Sequence, residues 1–145
     1  KMHLDVNFYA NAQICKLIQP LLSISTATTI VFNSSDQAKK YKSGGLAYGS
    51  SKSALSSLAR ALAVEWASLG INVITILPGG VDTQLYKGTK LGLSDVQIKE
   101  SQKKYPIERV ATANEVALIV TYHLLNYNQA INGAEIRIDG GLGCL

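Results

Sequence analysis

Tyr48 and Lys52 close the run Tyr48-Gly-Ser-Ser-Lys52. Residues four apart share a helix face, so a phenol and an ammonium at this spacing can converge. A cation beside a phenol favours the phenolate and draws its pKa down from ~10 toward working pH. A tyrosine tuned this way serves as general acid or base on a hydroxyl or carbonyl. The same spacing also fits two unrelated residues on a solvated helix face, so the pair needs company. Ser35 precedes Tyr48 and offers a hydroxyl that can hold a substrate oxygen, although Ser34 and Ser35 also suit a simple turn. Pro78-Gly79-Gly80-Val81-Asp82-Thr83 combines glycines, which let a backbone approach a ligand closely, with a threonine that both donates and accepts.

These residues need elements to position them. Met2, Val6, Ala10, Ile14, Leu17 and Leu21 recur at helical steps and predict an amphipathic helix over 2–21, ended by Pro20. Thr29–Asn33 is β-branched and aromatic on both faces and reads as a buried strand. A loop follows to Gly45. The strongest helix spans 46–69, with Leu55, Leu58, Leu62, Trp66 and Leu69 in one stripe and Gly70 as its stop. Asn72–Leu77 reads as a second buried strand. Residues 82–108 are polar, with one amphipathic stretch around Ser94–Lys104, and suit a lid or binding segment. Thr112 and Glu115 fit a capping box ahead of a helix over Val116–Leu125. Ala134–Ile138 is a third strand. Three short strands alternating with helices predict an α/β fold with a parallel sheet. Ser35 and the Pro78–Thr83 segment then follow strand carboxyl ends, where open α/β sheets collect ligands.

Composition narrows the function. The 145 residues are 47% hydrophobic and 17% charged, which excludes disorder and collagen-like repeats and fits one globular domain. No apolar run approaches the ~20 residues of a membrane span, and no signal-peptide layout is present. Cys15 and Cys144 follow no metal-ligand spacing, so no metal site is expected and a reducing, cytoplasmic setting is the default. The net charge of +4 is spread over lysines such as Lys39, Lys40 and Lys42 without interleaved aromatics, so no nucleic-acid partner is expected.

The order of these segments resembles the short-chain dehydrogenase/reductase family. The resemblance runs from Asp5-Val6-Asn7 through Ile30–Ser35, Tyr48–Leu55, Gly70-Ile71-Asn72-Val73 and Pro78–Thr83. It continues through Arg109, Glu115-Val116-Ala117, Asn132-Gly133 and Ile138-Asp139-Gly140-Gly141. It implies the C-terminal part of a Rossmann-type doubly wound sheet, residues 1–145 forming a single incomplete domain with a lid or substrate segment at about 84–108. It also implies an enzyme that transfers a hydride between NAD or NADP and a small carbonyl or alcohol substrate. Tyr48 matches the acid/base, Lys52 the lysine that tunes it and holds the nicotinamide ribose, and Ser35 the serine that steadies the substrate oxygen. Asn7 matches the asparagine that holds a relay water. Pro78, Gly79, Val81 and Thr83, with Tyr48 and Lys52, match the cofactor contacts. A homo-oligomer through helices 2–21 and 46–69 is implied as well.

Departures accompany the match. Ile74 stands where the family usually has Asn. Asp36-Gln37-Ala38-Lys39-Lys40 follows the serines in place of a small residue and a nearby glycine, which makes the substrate side unusual. Gln84, Leu85, Tyr86, Leu91 and Leu93 give the lid a mixed lining. The family's glycine-rich fingerprint is absent, so the chain alone is not expected to bind the dinucleotide tightly. A non-catalytic truncated module acting in assembly or binding is the alternative reading.

Overall fold

The computed structural model describes residues 1–25, 27–88 and 92–145. Leu91 and the side chain of Leu85, both expected in the lid lining, lie outside the described residues. The N-terminal helix is built of α1 (Met2–Leu4), a π-helical turn (Asp5–Tyr9) and α2 (Ala10–Leu22). Strand β1 (Thr28–Asn33) follows, then α3 (Leu46–Glu65) and β2 (Ile71–Pro78). A two-residue strand β3 (Val81–Asp82) leads into α4 (Gln84–Gly88) and α5 (Asp95–Gln102). Strand β4 (Ala111–Thr112), α6 (Ala113–Leu125) and β5 (Glu135–Ile138) complete the order.

The main sheet runs β1-β2-β5 and is parallel throughout, with Thr28 opposite Ile71 and Pro78 opposite Ile138. This confirms the α/β expectation. Every residue of β2 is buried, Asn72 and Thr75 included, as befits the central strand of a parallel sheet. β1 corrects the expectation of full burial: only Phe32 is buried, because β1 is an edge strand among the described residues. One face of β1 and β2 meets α2 and α3 in a core of Cys15, Phe32, Leu55, Leu62, Trp66, Ile71 and Val73. Asn132 ties this layer together. Its Oδ1 accepts from the Val73 amide at 2.8 Å, and its Nδ2 donates to the Ala63 carbonyl at 2.8 Å.

Further expectations need correction. Pro20 does not end the first helix, which continues to Leu22. A proline near the last turn removes one backbone hydrogen bond, and Leu22 holds that turn by packing on the core. The stripe from Met2 to Leu21 faces outward: Met2 is 74%, Val6 60%, Leu17 75% and Leu21 69% exposed. The buried contact comes from Cys15 instead, because the helix carries apolar residues on two faces. Helix 46–69 is α-helical only to Glu65 and ends in a 3-10 turn at Ala67–Leu69.

Residues 82–108 are also more structured than expected. β3 and β4 pair in parallel, Val81 with Ala111 and Asp82 with Thr112, and pin both ends of the segment. Ser94 and Gln97 form a capping box that starts α5, and Thr112 and Glu115 form the expected one at α6.

Candidate active site

Ser35 follows β1, Pro78–Thr83 close and follow β2, Tyr48 and Lys52 lie in the first turns of α3, and Asn7 lies in the N-terminal helix. Gly49 and Ser51 let α3 settle closely on its neighbours: a Cβ at Gly49 would stand 3.1 Å from the Gln37 carbonyl oxygen, and Ser51 is fully buried. Ser34 anchors the junction. Its Oγ donates to the Lys52 carbonyl at 3.0 Å and lies 2.8 Å from Ser56 Oγ.

Tyr48 and Lys52 share one face of α3, with the Lys52 Nζ 5.9 Å from the centre of the Tyr48 ring. The Lys52 ammonium donates to the Asn33 carbonyl at the end of β1, at 2.8 Å. Burial pushes the Lys52 pKa down from its ordinary value. The Tyr48 ring also meets the His3 ring in a T-shaped contact, with the ring centres 5.9 Å apart. The one sequence signal for His3 is that it precedes Asn7 by one helical turn and so shares its face.

Asn7 lies inside the π-helical turn, a distortion that recurs at functional sites. Its Nδ2 donates to Ser51 Oγ at 3.0 Å, and Ser51 donates to the Tyr48 carbonyl at 2.7 Å. Asn7 is thus coupled to the backbone that carries the phenol. Ser51, which sequence reading passed over, is the link. Its only sequence signal is a small polar residue one turn from Tyr48.

Ser35 is buried at the start of a 3-10 turn, Asp36–Ala38. Its Oγ donates to Asp36 Oδ1 at 3.1 Å and accepts from the Gln37 amide at 3.2 Å. The hydroxyl therefore shapes the turn that follows β1.

Pro78, Gly79, Val81 and Thr83 line the exit from β2. The Gly79 amide donates to the Ile138 carbonyl at 3.0 Å. Thr83 Oγ1 donates to the Val81 carbonyl and accepts from the Tyr86 amide, both at 3.3 Å. Gly80 has a steric reason to be glycine: a Cβ there would fall 2.7 Å from Tyr105 Oη and 2.7 Å from Val110. Tyr105, absent from the sequence-derived set, is buried against this turn. Burial, then the nearby Tyr86 and Asp36, push its phenol upward, while a hydrogen bond to the Gly80 backbone pulls the other way. Beside the turn, Asp36, Leu77, Arg137 and Asp139 help line a cavity of about 240 Å³.

Among the described residues, no group of His, Cys, Asp or Glu gathers as a metal site, and no helix is long and apolar enough to cross a membrane. The donors present do suit a nicotinamide dinucleotide. An ammonium has three N–H groups, and a single bond from Lys52, to Asn33, is recorded among the described residues.

Known proteins resemble this chain in sequence and fold. A family profile described as enoyl-(acyl carrier protein) reductase matches residues 1–143. A tropinone reductase homolog of Arabidopsis thaliana is 38% identical over 142 residues, which cover 97% of this chain and 53% of that protein. The chain thus spans about half the length of the curated relatives it matches. A crystal structure of a short chain dehydrogenase family protein from Francisella tularensis superposes with a TM-score of 0.90 at 33% identity, covering 98% of this chain and 61% of that one. A putative gluconate 5-dehydrogenase from Beutenbergia cavernae, solved with bound NADP, superposes at 0.87 with 26% identity, covering 98% and 56%. Matched along nearly its whole length in both sequence and fold, the chain belongs to the short-chain dehydrogenase/reductase family.

Proposed function

We propose that this chain carries the catalytic portion of an oxidoreductase that moves a hydride between a nicotinamide dinucleotide, NAD or NADP, and a carbonyl or alcohol carbon. The observation that carries the proposal is the Tyr48 phenol on one helix face with Lys52, whose ammonium is fixed by the Asn33 carbonyl. The cofactor supplies the hydride chemistry when bound. Tyr48 gives its proton to the substrate oxygen as the carbonyl is reduced, or takes it back in oxidation. The Lys52 charge stabilises the phenolate that remains, and its free N–H groups hold the ribose. Ser35 steadies the substrate oxygen at the strand end. Asn7 holds the water through which the phenolate regains a proton. Pro78, Gly79, Val81 and Thr83 grip the nicotinamide end, and segment 84–108 covers the substrate as a lid.

The reductase name of the Arabidopsis relative and the NADP bound in the Beutenbergia structure support this assignment. The outward apolar residues Ile14, Leu17 and Leu21 of α2 support self-association through that helix, which sedimentation tests. Turnover is tested with the full-length protein, NADH or NADPH, and a panel of ketones, following nicotinamide absorbance. Ketone-dependent oxidation of one cofactor is expected. Oxidation of neither cofactor with any ketone would overturn the proposal.

A further inference from the structure

Resting on the cofactor role assigned above to the turn after β2, we propose that Tyr105 is a positioning residue. Its phenol fixes the peptide between Gly79 and Gly80 and so sets how that turn meets the nicotinamide end. Every residue from Lys103 to Arg109 is exposed except Tyr105, which is only 5% exposed. A buried phenol needs a partner for its oxygen. The Gly80 backbone is that partner, and the bond favours the phenolate, so the Gly80 N–H donates and the phenol oxygen accepts. The fit leaves no slack: a Cβ on Gly80 would stand 2.7 Å from Tyr105 Oη.

The rest of the turn's backbone makes this one bond matter. The Gly79 amide donates to the Ile138 carbonyl at 3.0 Å, and the Gly80 carbonyl accepts from the Ala111 amide at 3.0 Å. Those bonds hold the groups on either side of the Gly79–Gly80 peptide, not the peptide itself. Glycine's backbone angles are permissive, so a peptide with glycine on both sides turns easily. The phenol holds the N–H of that peptide. Tyr105 is fixed in its own backbone: its amide donates to the Gln102 carbonyl at 2.9 Å, and its carbonyl accepts from the Glu108 amide at 2.7 Å. The next two residues press on the turn after β5. A Cβ on Gly141 would lie 3.1 Å from Pro106, and one on Gly140 would lie 2.7 Å from Ile107. Residues 105–107 thus brace the turns that follow both β2 and β5. A ligand that meets a turn already in its bound shape binds at lower entropic cost.

The test measures binding to the full-length protein by calorimetry. The probes are NADH and NADPH, with ADP-ribose and 2′-phospho-ADP-ribose as matching nucleotides that lack nicotinamide. Tyr105→Phe removes only the oxygen. It should weaken the dinucleotide by about three- to tenfold and leave the shortened nucleotide within about twofold. Gly80→Ala sets a methyl against the phenol and should show the same selectivity, which provides a second variant should the first fold poorly. Adding Tyr105→Phe to Gly80→Ala should bring no further loss, because the peptide is already displaced. A purely structural role would weaken both kinds of nucleotide alike. An unchanged dinucleotide affinity in a folded variant, an equal loss for the shortened nucleotide, or losses that multiply in the double variant would each overturn the proposal and leave the assignment of the turn standing. A wild type that binds neither dinucleotide more tightly than its shortened counterpart would remove both.

Discussion

Helices α2 and α3 pack on the same face of the sheet, yet they are held to very different degrees. Leu55, Ala59, Leu62 and Ala63 of α3 are buried against β1 and β2, and Ser51 and Ser56 are buried with them. On α2 only Cys15 is buried, and Ile14, Leu17 and Leu21 remain exposed. The difference explains where chemistry can sit. A side chain on α3 inherits a fixed position from packing beneath it and hydrogen bonds at its start. Asn7, just before α2, depends on a π-helical turn and its bond to Ser51.

The comparison breaks most visibly at two tyrosines. Tyr48→Phe on α3 should lower turnover by ~10²–10⁴-fold, the usual worth of a positioned acid/base, with an unchanged circular dichroism melt. Tyr9→Phe, at an exposed ring ahead of α2, should leave turnover as it was. Equal losses would mean that Tyr48 acts through structure alone.

Packing is the next test. Leu62→Ala should cost ~2–5 kcal/mol in urea unfolding, because it opens a cavity in the core. Leu17→Ala should stay within ~0.5 kcal/mol, as exposed substitutions do. A large cost at Leu17 would show that the α2 stripe is covered by another surface.

A smaller effect is expected at Lys52. Its folded-state pKa is lowered by burial, so in the window below the ordinary lysine value of 10.5 the unfolded chain binds more protons. Stability then rises with pH through that window. Lys52→Met should be more stable than wild type near neutrality, with a gap that narrows as the pH climbs. Thermal melts across pH measure it. A variant less stable than wild type at every pH would show that the bond to Asn33 outweighs the burial of the charge.

The mildest effect belongs to α6, whose start relies on a cap rather than packing. The Arg109 guanidinium, then the Thr112 backbone and hydroxyl, hold the Glu115 carboxyl at about 2, against an ordinary 4.5. Its stabilising contribution is complete above 4.5 and is lost as the pH falls through about 2. Glu115→Gln should flatten stability across that acid range, read from acid unfolding curves. Because the group is exposed, the effect is modest and weakens with salt.

Much of this architecture is legible in the residue pattern. The runs Thr29–Asn33, Asn72–Leu77 and Ala134–Ile138 all fall on strands, within a residue or so at each end. Thr112 and Glu115 announce α6 because a capping box is a local device. Which face of the first helix is buried is not legible, since periodicity reports a helix and two apolar stripes compete for the core. Pro20 misleads for a related reason: a local helix breaker yields when the next turn is anchored by Leu22.

The site divides along the same line. Spacing along the chain alone determines that Tyr48 and Lys52 share a face, because helical geometry is a property of consecutive residues. Contacts between distant segments were decided only by the folded chain. These include the His3 ring against Tyr48, the Asn7–Ser51 bond and the Lys52–Asn33 clamp. Even the neighbouring Asp36 reveals its hold on Ser35 only in three dimensions, since side-chain direction depends on how the 3-10 turn is seated. Sequence specifies which groups are within local reach of one another. Tertiary packing selects the partners that meet, because only burial makes an unmatched polar group unfavourable enough to enforce them.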